Sequence, residues 1–308
     1  MPTDEIKRQK VQILNHSILV RKLELKDPWA LLFLAHGYAE HSGRYEHVMQ
    51  FMKEKGISSY ALDHIGHGES SGPRGYIQKF EDYGDVFLKF IRMHLEKKPI
   101  RPIFILGHSF GGLVVADLLK RTEQASDLGF APSGIIFTSP FWWLKNRSFP
   151  KLALGRVLSR LRPTFNFPSA IDPFVLTHDR ECSLNYASDP LIVKGVNVRW
   201  FCLAMEKQSE LREKSFVQDF PLLALLAGDD RLSDSVVALE MIKKTSSQQK
   251  EWKVYDRYYH EILNESGKEL VMADIFGWMQ RVCPSHGKTL EPTIDSDSNT
   301  RSMEQTLS

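Results

Sequence analysis

The ten residues Ile103-Phe104-Ile105-Leu106-Gly107-His108-Ser109-Phe110-Gly111-Gly112 constrain this chain more than any other segment. The apolar run predicts a buried strand, Gly-x-Ser-x-Gly a sharp turn, and Leu113-Val114-Val115-Ala116 the opening of a helix. A serine on such a turn has its hydroxyl pushed out of the sheet, where a nucleophile must be. Glycine at 107 and 111 lets the strained turn and its neighbours approach closely. The helix that follows points free N–H groups and its positive dipole end at the place where an oxyanion would form. A plain Gly/Ser turn without chemistry is the competing reading, and the strand before and helix after speak against it.

Around this segment strands and helices alternate, the pattern of a mostly parallel sheet covered on both faces. Strands are predicted at His16–Leu25 (one arm of a hairpin), Trp29–Ala35, Ile57–Leu62, Gly134–Ser139, Pro221–Ala227 and Glu251–Tyr255. Helices are predicted at about Arg44–Lys55, Lys79–Glu96, up to Arg121, Ser233–Ser246 and Gly267–Val282. Between Pro140 and Phe220 the alternation stops in a stretch rich in Pro, Trp and Phe. Such an excursion is too long for a loop and predicts a cap over the site. The expected division is therefore a core of residues 1–139 and 221–283, a cap of 140–220, and a polar, disordered tail of 284–308.

Composition excludes several classes. With 308 residues and 42% hydrophobic content the chain can bury one large core. Lys+Arg 40 against Asp+Glu 38 implies no general affinity for nucleic acid. Cys182, Cys202 and Cys283 are widely spaced and odd in number, which suits a reducing compartment, the cytoplasm, rather than a disulfide framework. The charged start, Met1-Pro2-Thr3-Asp4-Glu5, predicts no secretory leader. Nothing approaches the roughly 18-residue apolar run of a spanning helix, so any membrane contact is expected to be peripheral.

A serine hydroxyl is a weak nucleophile and needs a base, which in turn needs a group to hold its tautomer. On a sheet of this kind the order along the chain is Ser, then Asp or Glu, then His. Asp230 follows the Pro221–Ala227 strand, and His260 follows Glu251–Tyr255. Asp229 and Asp234 compete for the acid position. The first could serve the turn and the second reads as a helix start, so Asp230 is favoured. His286 falls in the tail, which cannot hold a base in place. The two oxyanion donors should be the backbone N–H groups of Phe110, after the nucleophile, and Tyr38, after the Trp29–Ala35 strand. This chemistry calls for no cofactor and no metal. Asp63-His64-Ile65-Gly66-His67-Gly68 invites a metal reading, but it lies on a turn without further ligands at metal-site spacing, and a structural turn is expected.

At this point the residues resemble the monoacylglycerol lipase and lysophospholipase family of the α/β-hydrolase fold. The resemblance rests on His36-Gly37-Tyr38-Ala39-Glu40-His41-Ser42-Gly43-Arg44-Tyr45, Asp63-His64-Ile65-Gly66-His67-Gly68-Glu69-Ser70, the Ser109 segment, Ser188-Asp189-Pro190-Leu191, Asp230-Arg231-Leu232 and Tyr259-His260. These run in order from about Trp29 to Trp278, and the His-Gly string is the most specific of them. The resemblance implies Ser109, Asp230 and His260 as the triad, Tyr38 and Phe110 as oxyanion donors, and Glu40, Arg44, His108 and Tyr186 as the holders of a glycerol head. Buried glycerol hydroxyls need such partners to recover their desolvation cost. Tyr38 departs from the small residue usual in the animal enzymes, and its ring is expected to narrow the head-group site or cap the acyl tunnel. Val193 and Ser233 stand where animal members carry cysteines, so weak sensitivity to thiol reagents is expected.

Phe141-Trp142-Trp143-Leu144, followed by Leu152, Leu154, Val157, Leu158 and Leu161, is interleaved with basic residues only. Residues 141–162 therefore predict either docking to an anionic bilayer or an apolar face packed on the core. Three functions remain open. They are hydrolysis of monoacylglycerols, hydrolysis of lysophospholipids or short-chain esters, and a catalytically silent lipid-binding module. An intact Ser, Asp and His in order speak against the last. Dehalogenase chemistry would want an aspartate at position 109.

Overall fold

Five strands whose every residue is buried form the centre of the molecule: β3 (Ala30–Ala35), β4 (Ile57–Leu62), β5 (Ile103–His108), β6 (Gly134–Thr138) and β9 (Leu222–Ala227). Their largely apolar runs, interrupted chiefly by Ser58 and Ser59 in β4, are what a parallel sheet covered on both faces requires. A computed structural model describes residues 5–96, 100–122, 125–167, 171–214 and 220–284. The expectation for the tail after Pro284, His286 included, falls outside the described residues.

With β1 (Lys7–Ile13), β2 (His16–Leu23) and β10 (Lys250–Tyr255), the sheet has eight strands in the order β1-β2-β4-β3-β5-β6-β9-β10. β1 and β2 form an antiparallel hairpin joined to β4, and the remaining pairs are parallel, out to β10 at the other edge. Side chains of one strand alternate between the two layers. Leu32, Leu34, Phe104 and Leu106 pack with α1 (Glu46–Glu54) and α8 (Lys268–Val282). Phe33 and Ile105 pack on the opposite face with α2 (Glu81–Leu95), α3 (Phe110–Arg121) and α7 (Ser235–Lys244). The predicted hairpin arm is present, and its partner β1 is an exposed, cationic edge strand. Such a strand carries no hydrophobic alternation to betray it, because an edge tolerates Lys, Arg and Gln.

Between β6 and β9 the chain leaves the sheet. This insertion holds α4 (Phe149–Leu161), the two-residue strands β7 (Asn166–Phe167) and β8 (Val196–Asn197), α5 (Arg180–Ser188) and α6 (Val198–Glu213). β7 and β8 pair antiparallel, and α4 packs on α6. Asn197 starts α6 by accepting from the N–H groups of Arg199 and Trp200, as a helix-capping residue does.

Residues 141–162, for which the sequence left bilayer docking and core packing open, divide between a buried and an exposed set. Phe141 and Trp142 are buried, with Trp142 against Phe137 and its indole N–H donating to Gly112 O. The Trp143 ring is in contact with the guanidinium groups of both Arg147 and Arg212. Along α4, Leu152 and Ser159 face inward, while Leu154, Val157 and Leu161 are 58%, 54% and 75% exposed. Helical geometry causes the split, because residues two apart on a helix point in different directions.

Candidate active site

Ser109 joins β5 to α3 with φ 50° and ψ −116°, a backbone state that costs a non-glycine residue about 1–3 kcal/mol. The turn is possible because its neighbours lack side chains. A Cβ on Gly111 would lie 2.1 Å from the carbonyl oxygen of Ala35, and one on Gly107 would lie 2.8 Å from that of Gly111. Ser109 N–H donates to Thr138 O and its carbonyl accepts from Phe141 N–H, which anchors the turn to β6 and to the start of the insertion.

The fold brings Ser109, His260 and Asp230 together from the ends of β5, β10 and β9. Ser109 Oγ is 2.7 Å from His260 Nε2, and His260 Nδ1 is 2.7 Å from Asp230 Oδ2. The other carboxylate oxygen of Asp230 accepts from Leu232 N–H and Ser233 N–H, both at 2.8 Å, so the group cannot rotate away. All three residues are buried. Burial is the largest influence on His260 and opposes its charged form. The charge and hydrogen bond of Asp230, together with Glu261 and Glu40, outweigh it, and the imidazole pKa is raised above 6.5. The competing aspartates do other work. Asp234 caps α7 by accepting from Val236 and Val237 N–H, and Asp229 is half-exposed beside Arg231.

Phe110 is the first residue of α3, so its N–H has no preceding turn to donate into. Among the described residues neither its amide nor that of Tyr38 is paired with another backbone group. The Tyr38 loop is braced from behind. His36 Nδ1 contacts Gly37 O at 2.7 Å, and His36 Nε2 accepts from His64 N–H at 2.9 Å. Burial pushes the His64 and His67 pKa values down to about 3 and about 4, so these rings are neutral packing groups. In the Asp63–Gly68 turn, Asp63 accepts from Ser42 N–H and Oγ–H, Arg21 and Glu69 N–H, which commits the carboxylate to the loop. The Tyr38 ring lies 3.6 Å from Trp200 in a stacked pair, and its hydroxyl accepts from Asn197 N–H at 3.2 Å. The side chain therefore ties this loop to the insertion and forms part of the cavity wall.

The residues expected at the head group gather beside Ser109, in a different arrangement for each. Glu40 Oε1 accepts from Gly37 N–H and Tyr45 O–H, both at 2.6 Å. His108 lies 3.0 Å from Thr138 Oγ1, and burial pushes its pKa down to about 3, so the ring is neutral. Glu40, His108 and Tyr186 line a cavity of about 670 Å³ that also contains Ser109 and His260. Arg44 is not among the lining residues: it sits behind Glu40, under the Tyr186 ring. The rest of the wall is mostly apolar, with Leu144, Leu176, Trp200 and Phe201 beside the single carboxylate of Asp172, and it reaches the exposed Leu154 on α4.

Three neighbours escaped the sequence reading. Glu261 lines the cavity and grips Arg44 with both oxygens, at 2.6 and 2.7 Å. Its adjacency to His260 was the available signal. Trp200 comes from α6, where nothing in the local pattern marks it. Cys182 Sγ is 3.4 Å from Arg44, which places a thiol at this cluster by a route other than Val193 or Ser233. Burial raises its pKa, so little reactive thiolate forms there.

The family described as Hydrolase_4, serine aminopeptidase, S33, matches residues 26–267. The chain is 31% identical over 241 residues to the monoglyceride lipase of Rattus norvegicus, covering 77% of each protein. It is 29% identical over 255 residues to the monoacylglycerol lipase of Mycolicibacterium smegmatis, covering 82% of this chain and 89% of that one. A soluble variant of the monoglyceride lipase of Saccharomyces cerevisiae, solved with a substrate analogue, superposes with a TM-score of 0.81 at 20% identity over 91% of this chain and 96% of the other. Among the described residues, no helix is long and apolar enough to cross a membrane. By its matched family, these relatives and its sheet, the chain belongs to the Hydrolase_4 family and is a monoacylglycerol lipase-like α/β-hydrolase of the carboxylic ester hydrolase class.

Proposed function

We propose that the protein cleaves long-chain monoacylglycerols to fatty acid and glycerol through an acyl-enzyme. The observation that carries this reading is the hydrogen-bonded series Asp230–His260–Ser109 opening into a cavity whose remaining wall is mostly apolar. Ser109 Oγ attacks the ester carbonyl while His260 Nε2 takes its proton, and Asp230 holds the imidazolium that forms. The amides of Tyr38 and Phe110 stabilise the tetrahedral oxyanion, a contribution of about 3–4 kcal/mol per donor in comparable sites. His260 then protonates the leaving glycerol oxygen, and water repeats the cycle to release the acid. The acyl chain lies along the apolar wall, and the glycerol end meets Glu40, His108, Tyr186 and Glu261. No step requires a cofactor.

In this reading residues 1–139 and 221–283 form the hydrolase core and the insertion 140–220 is a cap whose outer face meets the lipid. The support is the exposed set Leu154, Val157 and Leu161, with Arg156, Arg160 and Arg162 exposed beside it. Leu154 also lines the cavity, so the docked face and the acyl path adjoin. Vesicles containing an anionic lipid should sediment the protein, and Val157→Ser with Leu161→Ser should weaken that binding by at least about tenfold. Failure of the unaltered protein to sediment would remove the docking role.

The substrate assignment is tested by initial rates on a long-chain monoacylglycerol, the matching lysophosphatidylcholine and a short-chain aryl ester, with Ser109→Ala as the blank. The highest kcat/KM is expected for the monoacylglycerol, by at least about tenfold over the lysophospholipid. A higher value for either competitor would overturn the monoacylglycerol assignment while leaving the ester hydrolase intact.

A further inference from the structure

Two buried carboxylates share one guanidinium beside the reacting serine, and this arrangement constrains the leaving group. Arg44 Nη1 donates to Glu40 Oε2 at 2.8 Å and to Glu261 Oε1 at 2.6 Å. Nη2 donates to Glu261 Oε2 at 2.7 Å and to Cys182 Sγ at 3.4 Å. The Tyr186 ring lies against the guanidinium, 4.8 Å from centroid to carbon. An arginine fork is the usual receptor for a phosphate, because two parallel N–H groups match two anionic oxygens. Here the terminal N–H groups are already engaged, chiefly by Glu261. What faces the cavity is Glu40 and Glu261, not Arg44.

We propose that Glu261 is a specificity-determining residue that closes this site to anionic head groups: by holding the Arg44 fork and presenting a carboxylate beside Ser109, it admits an uncharged polyol and rejects a phosphate. This deepens the monoacylglycerol reading and rests on it. A hydroxyl donates to the free lone pairs of a carboxylate, whereas a phosphate at the same place meets like charge in a site withdrawn from water. The Glu261 side chain is well fixed for the task. Its backbone N–H donates to Leu176 O in the insertion, and Asn264 Nδ2 donates to Oε2 at 3.3 Å. Burial is the largest influence on both carboxyl groups and opposes their charged forms. For Glu261 the Arg44 charge and hydrogen bonds outweigh burial and keep it anionic, while Glu40 stays above its usual range.

The test compares 1-oleoylglycerol with 1-oleoyl-lysophosphatidate, which differ only by the phosphate. Both are presented to the full chain in the same mixed micelles, with rates normalised to sites labelled by a fluorophosphonate. The unaltered protein should favour the glycerol ester by at least about 100-fold in kcat/KM. Glu261→Gln should narrow that ratio by at least about tenfold, mainly through a lower KM for lysophosphatidate, while Glu261→Asp should remain nearer the unaltered protein. A ratio below about tenfold in the unaltered protein overturns the proposal whatever the variants do. An unchanged ratio in labelled Glu261→Gln overturns it as well. Absence of Ser109-dependent turnover of the monoacylglycerol instead brings down the broader reading, and this one with it.

Discussion

Ser109→Ala is expected to lower kcat for a long-chain monoacylglycerol by about 10⁵- to 10⁶-fold, and to abolish covalent labelling by a fluorophosphonate. The size follows from what is lost. In the proposed mechanism no acyl-enzyme forms without Oγ, and only the oxyanion donors and substrate positioning remain to assist water. Folding should survive, because the side chain contributes one hydrogen bond, to His260, and alanine meets the same backbone strain as serine at φ 50°. A change in stability within about 1 kcal/mol is therefore expected in chemical denaturation. Retained turnover or labelling in a folded variant would place the nucleophile elsewhere. Loss of turnover with loss of folding would be resolved by Ser109→Cys, which keeps a side-chain nucleophile on the same turn and should still react with thiol-directed probes.

Asp230→Asn should reduce kcat by about 10⁴-fold, and the reason is tautomeric. The Leu232 and Ser233 N–H groups both point at one carboxylate oxygen, Oδ1. In the asparagine variant that place must go to the amide oxygen, which turns the NH₂ toward His260 Nδ1. Nδ1 then accepts, the ring proton moves to Nε2, and Nε2 can no longer take the proton of Ser109. The pH profile should move as well. In the unaltered protein the negative charge of Asp230, aided by Glu261 and Glu40, outweighs burial and raises the His260 pKa above 6.5. The base must be neutral, so kcat/KM rises as pH climbs through that raised value. Removing the Asp230 charge and hydrogen bond leaves burial, the largest influence, less opposed. The residual activity should then reach its plateau at lower pH than in the unaltered protein. A limb that stays in place would show that a group other than His260 sets it.

The central sheet was legible because its strands are nearly pure apolar runs, and a run such as Ala30–Ala35 or Leu222–Ala227 has few other places to go. The turn at Ser109 was legible because its glycines are sterically required, with the Ala35 carbonyl standing where a Cβ would be. The order Ser109, Asp230, His260 followed from where strands end. These are local properties: periodicity, strand termini and the space a turn allows are written in consecutive residues.

The insertion was legible only as an interruption. Which of its apolar residues face inward depends on the surface each helix meets. Thus Trp142 is buried against Phe137 while Leu161 is exposed, although both belong to one apolar, cationic stretch. The charged cluster behind the cavity was less legible still. Glu40, Arg44 and His108 announced themselves through motifs, but the partner that holds Arg44 lies 217 positions away, at Glu261. Tyr38 and Trp200 are likewise joined only by the return of the insertion over the core. The sequence by itself determined the sheet, the strained turn and the residues available for proton transfer. The tertiary structure decided which charge meets which, because a guanidinium claimed by two carboxylates differs from a free one only through contacts between segments distant in the chain.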